Sequence, residues 1–364
     1  MKTMKVNLDR KILHSYEVHI GEGILDRMAM ILARNSWARR YVIVTDDHVD
    51  ALYGGQVQEA LEKASLRVDR ITVPPGEAAK GMQTVLDIAE RLIGLGADRH
   101  TALIALGGGV IGDLTGFSAS LYMRGIPVIQ LPTTLLAQVD SSIGGKTGVD
   151  TDAGKNLLGT FHQPKGVFID VAFLRTLPDD QFRSGLAEVI KYGVIESPEL
   201  LDDIETAAAD RRLTDPAFLG RIIEAACRIK KGLVELDERD QGLRRILNFG
   251  HTVGHAVEAA SGYALSHGES VAIGMAAAAD LSERLHYLPT GERNRIESVI
   301  RAVGLPDRIP KHLDPEAILA RLANDKKKEG ETIHFVLIKK LGFPFVNGRI
   351  KEETVRETLQ GLRK

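Results

Sequence analysis

Three histidines in one short stretch have the clearest potential for chemistry in this chain. His251 and His255 are four residues apart, so on a helix they share one face, and His267 follows after a break at residues 261–263. Imidazole is the commonest metal ligand and titrates near neutral pH. The histidines are therefore either metal ligands or ordinary helix-face and capping residues. The zinc-protease pattern His-Glu-x-x-His is absent, because position 252 is Thr.

A glycine-rich turn in the first half has the pattern of a phosphate-binding loop. Residues 107–113 read Gly-Gly-Gly-Val-Ile-Gly-Asp, directly after a strand-like run and at the start of a helical one. Glycine lets a backbone approach a pyrophosphate, and a helix N-terminus offers free N–H groups. A plain tight turn is the alternative, because the motif follows the third strand-like run and no acidic residue lies about 20 positions later. Asp46, at the end of an earlier strand, is a candidate for binding a ribose.

Hydroxyl, amide and ammonium groups supply candidate ligands for an anionic substrate. They are Thr133 and Thr134 after a predicted strand, and Lys146, Lys155 and Asn156 in a predicted glycine-rich loop. Residues 141–148 resemble a P-loop ending in Gly-Lys-Thr, but Asp140 stands where the first glycine is required. A nucleotide triphosphate site is therefore disfavoured, and a solvated loop is the alternative.

A later helical stretch carries Glu188 and Lys191, three residues apart on one face, and Lys230 and Arg244 add positive charge near the histidines. Glu188 and Lys191 alone are typical of a surface ion pair. Together with the histidines and the glycine turn, they form a set suited to one divalent metal and an anionic substrate. The combination indicates a metal- and dinucleotide-dependent enzyme that acts on a phosphorylated polyol.

The composition indicates a cytoplasmic protein of two domains. A length of 364 residues exceeds one ordinary core, and a hydrophobic content of 44% is typical of globular proteins. The net charge of -2 argues against a nucleic-acid partner. The one cysteine, Cys227, excludes an intrachain disulfide and fits a reducing compartment. The N-terminus shows no secretory signal, and the longest apolar stretch is too short for a membrane span, so we expect no membrane partner.

Strand-like and helical runs alternate in the first half, as in βαβ units around a parallel sheet. We predict strands at 41–45, 66–73, 101–106, 127–131 and 167–170, helices at about 50–64, 82–93 and 110–121, and an edge hairpin from 4–8 and 16–20. Helical patterns then dominate, at 178–194, 198–209, 216–237, 251–260, 268–286 and 291–303, before extended runs at 332–338 and 343–346. We therefore predict an α/β domain over 1–173 and a mainly helical domain over 174–364, with a cleft at their junction.

Several of these motifs, in this order, closely resemble the 3-dehydroquinate synthase family. They are GGGVIGD at 107–113, YMRGIP at 122–127, PTTLLAQVDSSIGGKTGVD at 132–150, GKN at 154–156, EVIKYG at 188–193, LNFGHTVGHA at 247–256 and SHGE at 266–269. The resemblance covers nearly the whole chain, and the long central run is highly specific. In the last part of the chain only residues 325–327, Asp-Lys-Lys, match the pattern; alone they are typical of a solvated charge run.

The resemblance implies an N-terminal Rossmann-like dinucleotide-binding α/β domain and a mainly α-helical C-terminal domain, the dehydroquinate synthase-like fold, paired as a homodimer. It implies conversion of 3-deoxy-D-arabino-heptulosonate 7-phosphate, a small phosphorylated sugar acid, to 3-dehydroquinate and phosphate in the shikimate pathway. The implied cofactors are NAD+, reduced and reoxidised in each turnover, and one divalent metal, Zn2+ or Co2+. The implied steps are transient oxidation, phosphate elimination, re-reduction, ring opening and intramolecular aldol closure.

Matched motif by motif, the resemblance also assigns roles to residues. The metal ligands would be Glu188, His251 and His267, and His255 would be a nearby acid/base or substrate contact. The substrate contacts would be Lys146, Asn156, Lys191, Lys230, Arg244, Asn248 and Lys326, with Arg124 reaching the phosphate, in one arrangement from across the dimer interface. NAD+ would contact Asp46, Glu77, Lys80, Gly109, Val110, Ile111, Gly112, Asp113, Thr133, Thr134, Lys146, Lys155, Phe173, Leu174, Arg175 and Thr176.

Three other functions fit parts of this pattern. A related sugar-phosphate cyclase, such as a valiolone- or deoxy-scyllo-inosose-type synthase, would keep the metal ligands and the NAD+ turn but change substrate contacts. A metal-dependent polyol dehydrogenase of the same architecture would release NADH. A non-catalytic nucleotide-binding or scaffold protein is disfavoured by the density of matched catalytic positions.

Overall fold

The chain forms a parallel sheet with helices on both faces, followed by a mainly helical half. The computed structural model describes residues 15–329 and 333–363, apart from the side chains of residues 323–329. The strands are β1 (Glu17–Gly21), β2 (Arg40–Asp46), β3 (Val68–Val73), β4 (Thr101–Gly107), β5 (Val128–Pro132), β6 (Lys146–Thr151), β7 (Gly154–Phe161), β8 (Gly166–Asp170), β9 (Phe335–Ile338) and β10 (Pro344–Asn347).

Each predicted helix is present, and a further helix at Leu25–Asn35 was not predicted. The helices are α1 (Leu25–Asn35), α2 (Asp47–Val49), α3 (Gly55–Lys63), α4 (Met82–Gly94), α5 (Gly109–Leu121), α6 (Asp179–Ile195), α7 (Pro198–Ala209), α8 (Pro216–Leu236), α9 (His251–Ala260), α10 (His267–Arg284), α11 (Thr290–Ala302), α12 (Pro315–Glu329) and α13 (Glu352–Leu362). Across the described ranges, no helix has both the length and the apolar character needed to cross a membrane.

Six parallel strands form the main sheet, in the order β1-β8-β5-β4-β2-β3. Successive side chains of a strand point to opposite faces, and both faces of this sheet are covered by helices. In β2, Tyr41 and Ile43 pack with side chains of α1 and α3, whereas Val42 and Val44 pack with those of α4 and α5. The predicted α/β architecture is thereby confirmed, and its continuous apolar strands are explained by burial on both faces.

One edge of the sheet differs from the predicted hairpin. β1 confirms the strand predicted at 16–20, but it pairs in parallel with β8, from Glu17 opposite Gly166 to Gly21 opposite Asp170. In the described part of the chain, β1 therefore lies at the edge of the sheet. Residues 4–8, the other half of the predicted hairpin, lie outside the described residues.

A β-hairpin of β6 and β7 takes the place of the predicted glycine-rich loop. Lys146 begins β6, while Lys155 and Asn156 lie on β7, which pairs antiparallel with β6. The loop prediction is wrong because the glycines here permit close contact between strands rather than a turn. A Cβ at Gly159, for example, would lie 2.4 Å from the carbonyl oxygen of Thr147.

Helix α10 forms the centre of the helical half. It contacts α6, α9, α11, α13 and β9, and every residue from Ser270 to Ser282 is buried. Its alanine run at 276–279 lets neighbouring helices approach from several sides. Helices α6 to α11 confirm the predicted ones, whereas α12 and α13 were not predicted. The spacing of Val355, Leu359 and Leu362, all buried in α13, was a signal for that helix.

The two halves share one hydrophobic core across the predicted boundary at residue 173. Val139, Val167 and Ile169 belong to the same buried cluster as Leu186 and Ile190 of α6. Apolar burial therefore holds the sheet against the helical half. The division into 1–173 and 174–364 itself stays a prediction.

We expect Gly274→Ala to destabilise the protein strongly. Gly274 lies where α10 crosses the start of α9, and a Cβ there would be 1.8 Å from the carbonyl oxygen of Gly250. Because this contact is with a backbone atom, it can be relieved only if the two helices move apart. The free energy of unfolding should therefore fall by at least about 2 kcal/mol. Urea denaturation followed by circular dichroism measures this loss.

Gly220→Ala in α8 is the matched control. Among the described residues, no atom outside its own helix lies within 4 Å of a Cβ built at Gly220. Because alanine has the higher helix propensity, stability should stay unchanged or rise by up to about 1 kcal/mol. Wild-type stability in Gly274→Ala would contradict the close packing of α9 against α10.

Candidate active site

Close packing of two helices brings the three histidines together. Gly250, with a φ of +80°, leads into α9, and a Cβ at Gly254 would lie 2.9 Å from a carbonyl oxygen of α10. The glycines thus let the two helices lie side by side. His251 and His267, the first residues of α9 and α10, have ring centroids 5.4 Å apart, and the ring of His255 lies 5.3 Å from that of His251.

A capping box fixes the start of α10 at His267. The hydroxyl of Ser266 accepts a 3.3 Å hydrogen bond from the backbone N–H of Glu269. The carboxylate of Glu269 accepts a 2.8 Å bond from the N–H of Ser266 in return. This reciprocal pair defines where the helix begins and therefore where the His267 side chain leaves it.

A buried carboxylate of α6 faces two of the imidazoles. Glu188 is only 1% exposed, and its Oε1 lies 3.4 Å from Nε2 of His251 and 3.2 Å from Nε2 of His267. Its other oxygen pairs with Lys191, one turn along α6. Burial alone would raise the pKa of Glu188, but Lys191 and the imidazoles hold this pKa well below its usual range. The group is therefore ionised.

One carboxylate oxygen and two imidazole nitrogens in this arrangement fit a divalent cation. Ligand atoms of a tetrahedral zinc site lie about 3.3 Å apart, close to both contacts of Glu188. Nδ1 of His251 lies 3.2 Å from the carbonyl oxygen of Phe249, which favours a proton on Nδ1 and a lone pair on Nε2. Burial alone would lower the pKa of His267, but Glu188 and Glu258 raise it to about 9. The proton on His267 thus places a positive charge at the position that suits a cation.

A second set of possible ligands consists of His255, Glu258 and His267, whose ligand atoms also lie within 4.8 Å of one another. Its carboxylate is farther away, since Oε2 of Glu258 lies 3.9 Å from Nδ1 of His267. That distance exceeds the roughly 3.3 Å between ligands of a compact tetrahedral site. The set with Glu188 and His251 is therefore the better candidate for a small cation.

His255 lies on the open side of this cluster, with part of its ring exposed. The surrounding protein and the charges of His251 and His267 lower the pKa of His255. The ring is therefore neutral at neutral pH. A neutral imidazole beside a cation site can accept a hydrogen bond or a proton from a substrate.

Two buried lysines converge on Asp140, close to Glu188. Nζ of Lys230 lies 2.7 Å from Oδ1 of Asp140, and Nζ of Lys191 lies 4.0 Å from the same oxygen. Burial lowers the pKa of Lys230. For Asp140, burial is outweighed by the two ammonium groups, which hold its pKa well below the usual range. The lysines are thereby kept beside the candidate cation site, where they can contact an anionic substrate.

Arg244 is buried, and its guanidinium includes a buried N–H donor without a partner in the part of the chain described. Its Nη1 donates a 2.9 Å hydrogen bond to the carbonyl oxygen of Glu238, whereas its Nε has no hydrogen-bond partner there. Gly144 makes room for it, because a Cβ at that position would lie 2.4 Å from Nη2 of Arg244. A buried guanidinium with a free donor suits a carboxylate or a phosphate. Lys146, another predicted substrate contact, forms an ion pair with Asp240.

The glycine turn joins β4 to α5, as predicted. A Cβ at Gly108 would lie 3.0 Å from Cγ2 of Thr134, and one at Gly109 would lie 3.2 Å from Oγ of Ser141. Ile111 is buried in the core, so its backbone rather than its side chain can face a ligand. The N-terminus of α5 is thus bare of large side chains, an arrangement that suits a phosphate group.

Charged and polar residues beside this turn form two neighbouring groups, one around Lys80 and one around Lys155. Nζ of Lys80 lies 2.6 Å from Oδ2 of Asp113 and donates to Oδ1 of Asn156 at 2.7 Å. Nζ of Lys155 lies 3.4 Å from Oε1 of Glu77. Burial raises the pKa of Asp113. These five residues, all predicted from the sequence, lie together between the glycine turn and the β6–β7 hairpin.

Further predicted residues lie at the carboxyl edge of the parallel sheet. Asp46 ends β2 and accepts a 2.9 Å hydrogen bond from the N–H of Val49. A short turn after β8 carries Phe173 and Thr176, and the hydroxyl of Tyr53 lies 2.6 Å from Oγ1 of Thr176. Thr133 and Thr134 follow β5, and Val110 follows β4. Ligands of open α/β sheets bind at this edge.

Four other predicted site residues make no described contact with the candidate metal ligands, the buried lysines or the residues beside the glycine turn. Arg124 lies on an exposed turn after α5 with a φ of +67°, and Asn248 is exposed before α9. Arg175 pairs with Glu22, and Leu174 is buried in the core. The side chain of Lys326 lies outside the described residues.

Three acidic residues of this region were not predicted as site residues. They are Asp140, Asp240 and Glu258, which pair with Lys230, Lys146 and Lys155 respectively. Glu258 follows His251 by two helical turns, and that spacing was a usable signal. Asp140 lies in a short π-helical turn at Ala137–Ser141 and Asp240 lies in a bend, and neither segment has a side-chain spacing that indicates a site.

The sequence matches one protein family over most of its length. Residues 70–184 match the family model of the 3-dehydroquinate synthase N-terminal region, and residues 185–328 match that of the C-terminal region. The 3-dehydroquinate synthase of Symbiobacterium thermophilum is 43% identical over 351 residues, which cover 96% of this chain and 98% of that protein.

Two solved structures of other cyclases are also similar. One is 2-epi-5-epi-valiolone synthase from Streptomyces hygroscopicus with NAD+ and Zn2+ bound, with a TM-score of 0.89, 30% identity and 99% of both chains covered. The other is 2-deoxy-scyllo-inosose synthase complexed with carbaglucose-6-phosphate, NAD+ and Co2+, with a TM-score of 0.86, 28% identity, and 94% of this chain and 96% of that chain covered. Since the sequence match extends over nearly the full length, the chain belongs to the 3-dehydroquinate synthase family.

Proposed function

We propose that the protein converts 3-deoxy-D-arabino-heptulosonate 7-phosphate to 3-dehydroquinate and phosphate. The observation that supports this best is the single oxygen of Glu188 that faces His251 and His267, beside the buried Lys191 and Lys230. A cation site next to buried ammonium groups suits a substrate with neighbouring hydroxyls and a phosphate.

The metal would be held by Glu188, His251 and His267, three ligands that leave positions open for substrate oxygens. When bound, a divalent cation such as Zn2+ or Co2+ polarises a hydroxyl or ketone, and NAD+ accepts and returns a hydride. His255, being neutral, would exchange a proton with the substrate. Lys191, paired with Glu188, would attract the anionic substrate to this position.

The dinucleotide would lie at the carboxyl edge of the sheet. The N–H groups at the start of α5, from Gly109 to Asp113, would bind the pyrophosphate, because the turn is bare of large side chains. Asp46 at the end of β2 would bind a ribose hydroxyl. Lys80, paired with Asp113, and Lys155, paired with Glu77, would contact the same cofactor.

A carboxylate distinguishes the heptulosonate from carbaglucose-6-phosphate, although both carry a phosphate. The buried Arg244, with a free Nε donor in the described part of the chain, suits a sugar acid. The carbaglucose-6-phosphate bound by the similar 2-deoxy-scyllo-inosose synthase has no carboxylate. The 43% identity to a 3-dehydroquinate synthase also supports the heptulosonate as substrate.

Phosphate release tests the proposed reaction. The protein should release phosphate from the heptulosonate phosphate when NAD+ and Co2+ or Zn2+ are present. Its product should yield enone absorbance after a dehydratase is added, without net accumulation of NADH. No phosphate release from this substrate would contradict the proposal. Phosphate release from glucose 6-phosphate would favour another cyclase, and net NADH from a simple polyol would favour a dehydrogenase.

Two histidine variants test the division of roles within the site. His267→Ala should lose metal and activity together, because it removes one of three ligands. His255→Ala should keep the metal and slow turnover by about a hundredfold, because it removes only a proton-transfer group. Metal content after gel filtration and the rate of phosphate release measure both effects. Equal metal loss in the two variants would show that His255 is itself a ligand.

We also propose that the protein acts as a homodimer in which Arg124 reaches the site of the second subunit. Arg124 lies on an exposed turn directly after two apolar surface residues, Leu121 and Met123, which are 48% and 53% exposed. The neighbouring strand β7 adds Leu157 and Leu158, which are 52% and 45% exposed. An exposed apolar patch of this kind is typical of an interface.

Mixing two inactive variants tests this arrangement. Arg124→Ala and His251→Ala should each be inactive alone, but subunit exchange should restore about a quarter of wild-type phosphate release, because each hybrid dimer has one complete site. If Arg124 acts within its own chain, the mixture stays inactive. Light scattering establishes that the mixture contains dimers.

A further inference from the structure

Glu258 is a buried acid that the proposed metal ligands leave unused. It lies on α9 two turns after His251 and is only 6% exposed. Its Oε1 lies 2.8 Å from Nζ of Lys155, and its Oε2 lies 3.9 Å from Nδ1 of His267. One carboxylate thus faces both a lysine of the β6–β7 hairpin and a candidate metal ligand.

Each ligand histidine needs a partner for its second nitrogen. Nε2 of His251 and Nε2 of His267 both face Glu188, so each ring must carry its proton on Nδ1 when Nε2 binds a metal. For His251, the carbonyl oxygen of Phe249 lies 3.2 Å from Nδ1. For His267, the group that faces Nδ1 is the carboxylate of Glu258.

We propose that Glu258 is a positioning residue that accepts a hydrogen bond from Nδ1 of His267 and so directs Nε2 toward the metal. The present separation of 3.9 Å becomes a hydrogen bond after a shift of about 1 Å. A charged acceptor at Nδ1 also makes the imidazole a stronger ligand. The inference rests on the proposed metal ligands but does not depend on which substrate is converted.

Lys155 determines where this carboxylate lies. Its ammonium group is held from three sides, because it also lies 3.4 Å from Oε1 of Glu77 and 4.8 Å from the ring centroid of Tyr263. The ion pair keeps one oxygen of Glu258 on the hairpin side and leaves the other for His267. The metal site is thereby joined to the hairpin that borders the proposed NAD+ site.

Co2+ binding by wild type, Glu258→Gln and Glu224→Gln, without NAD+ or substrate, tests the inference. Glu224 is exposed on α8, so its variant loses the same charge away from the site. Competition with a chromophoric chelator should show Glu258→Gln weakened by about tenfold to a hundredfold and Glu224→Gln unchanged. The Co2+ absorption bands of Glu258→Gln should keep their shape. Wild-type affinity in Glu258→Gln overturns the inference, and so do altered bands, because they would make Glu258 a ligand.

A measurement on the wild type removes any dependence on how the variant folds. In Zn2+-loaded protein with ¹⁵N-labelled histidine, NMR should show His267 protonated at Nδ1. An unprotonated Nδ1 overturns the inference. Failure of the wild type to bind Co2+ overturns the proposed metal ligands and this inference with them. Normal Co2+ binding without phosphate release overturns only the proposed reaction.

Discussion

The buried carboxylate of Glu188 is the interaction on which the rest of this site depends. An ionised group that is 1% exposed costs several kcal/mol to desolvate unless opposite charge surrounds it. Lys191 neutralises one oxygen from the same helix, and the other faces two imidazoles from helices much later in the chain. The raised pKa of His267, about 9, shows how strongly this place attracts positive charge. In the proposed function, a divalent cation would satisfy the same requirement.

Positioning of that charge depends on close backbone packing. Helices α9 and α10 meet through Gly250, Gly254 and Gly274, where a Cβ on any of the three would clash with the facing helix. The shared hydrophobic core then holds α6 and the sheet against this pair. On the sheet side, Lys155 of the β6–β7 hairpin forms an ion pair with Glu258 of α9. The site is therefore built by both halves of the chain, as a reaction that combines a dinucleotide with a metal requires.

The sequence was sufficient for elements with a strong apolar pattern, such as the buried strands β2 and β4 and the helices α6 to α11. It was misleading at β6 and β7, where glycines needed for close strand contact are also typical of a loop. Spacing within α9 suggested His251 and His255 as a ligand pair; the resemblance replaced His255 with Glu188 and His267. Glu258 and Lys155 are 103 residues apart, and their pairing is a tertiary contact that the periodicity of the local sequence cannot indicate.

Anomalous diffraction from crystals grown with Zn2+ tests the central claim most directly. We predict one zinc peak per chain, bonded at about 2.0–2.2 Å to a carboxylate oxygen of Glu188 and to Nε2 of His251 and His267. In that structure Glu258 should face Nδ1 of His267 without contacting the metal. A zinc ion bound by His255 and Glu258, or no zinc at Glu188, would contradict the claim that this carboxylate organises the site.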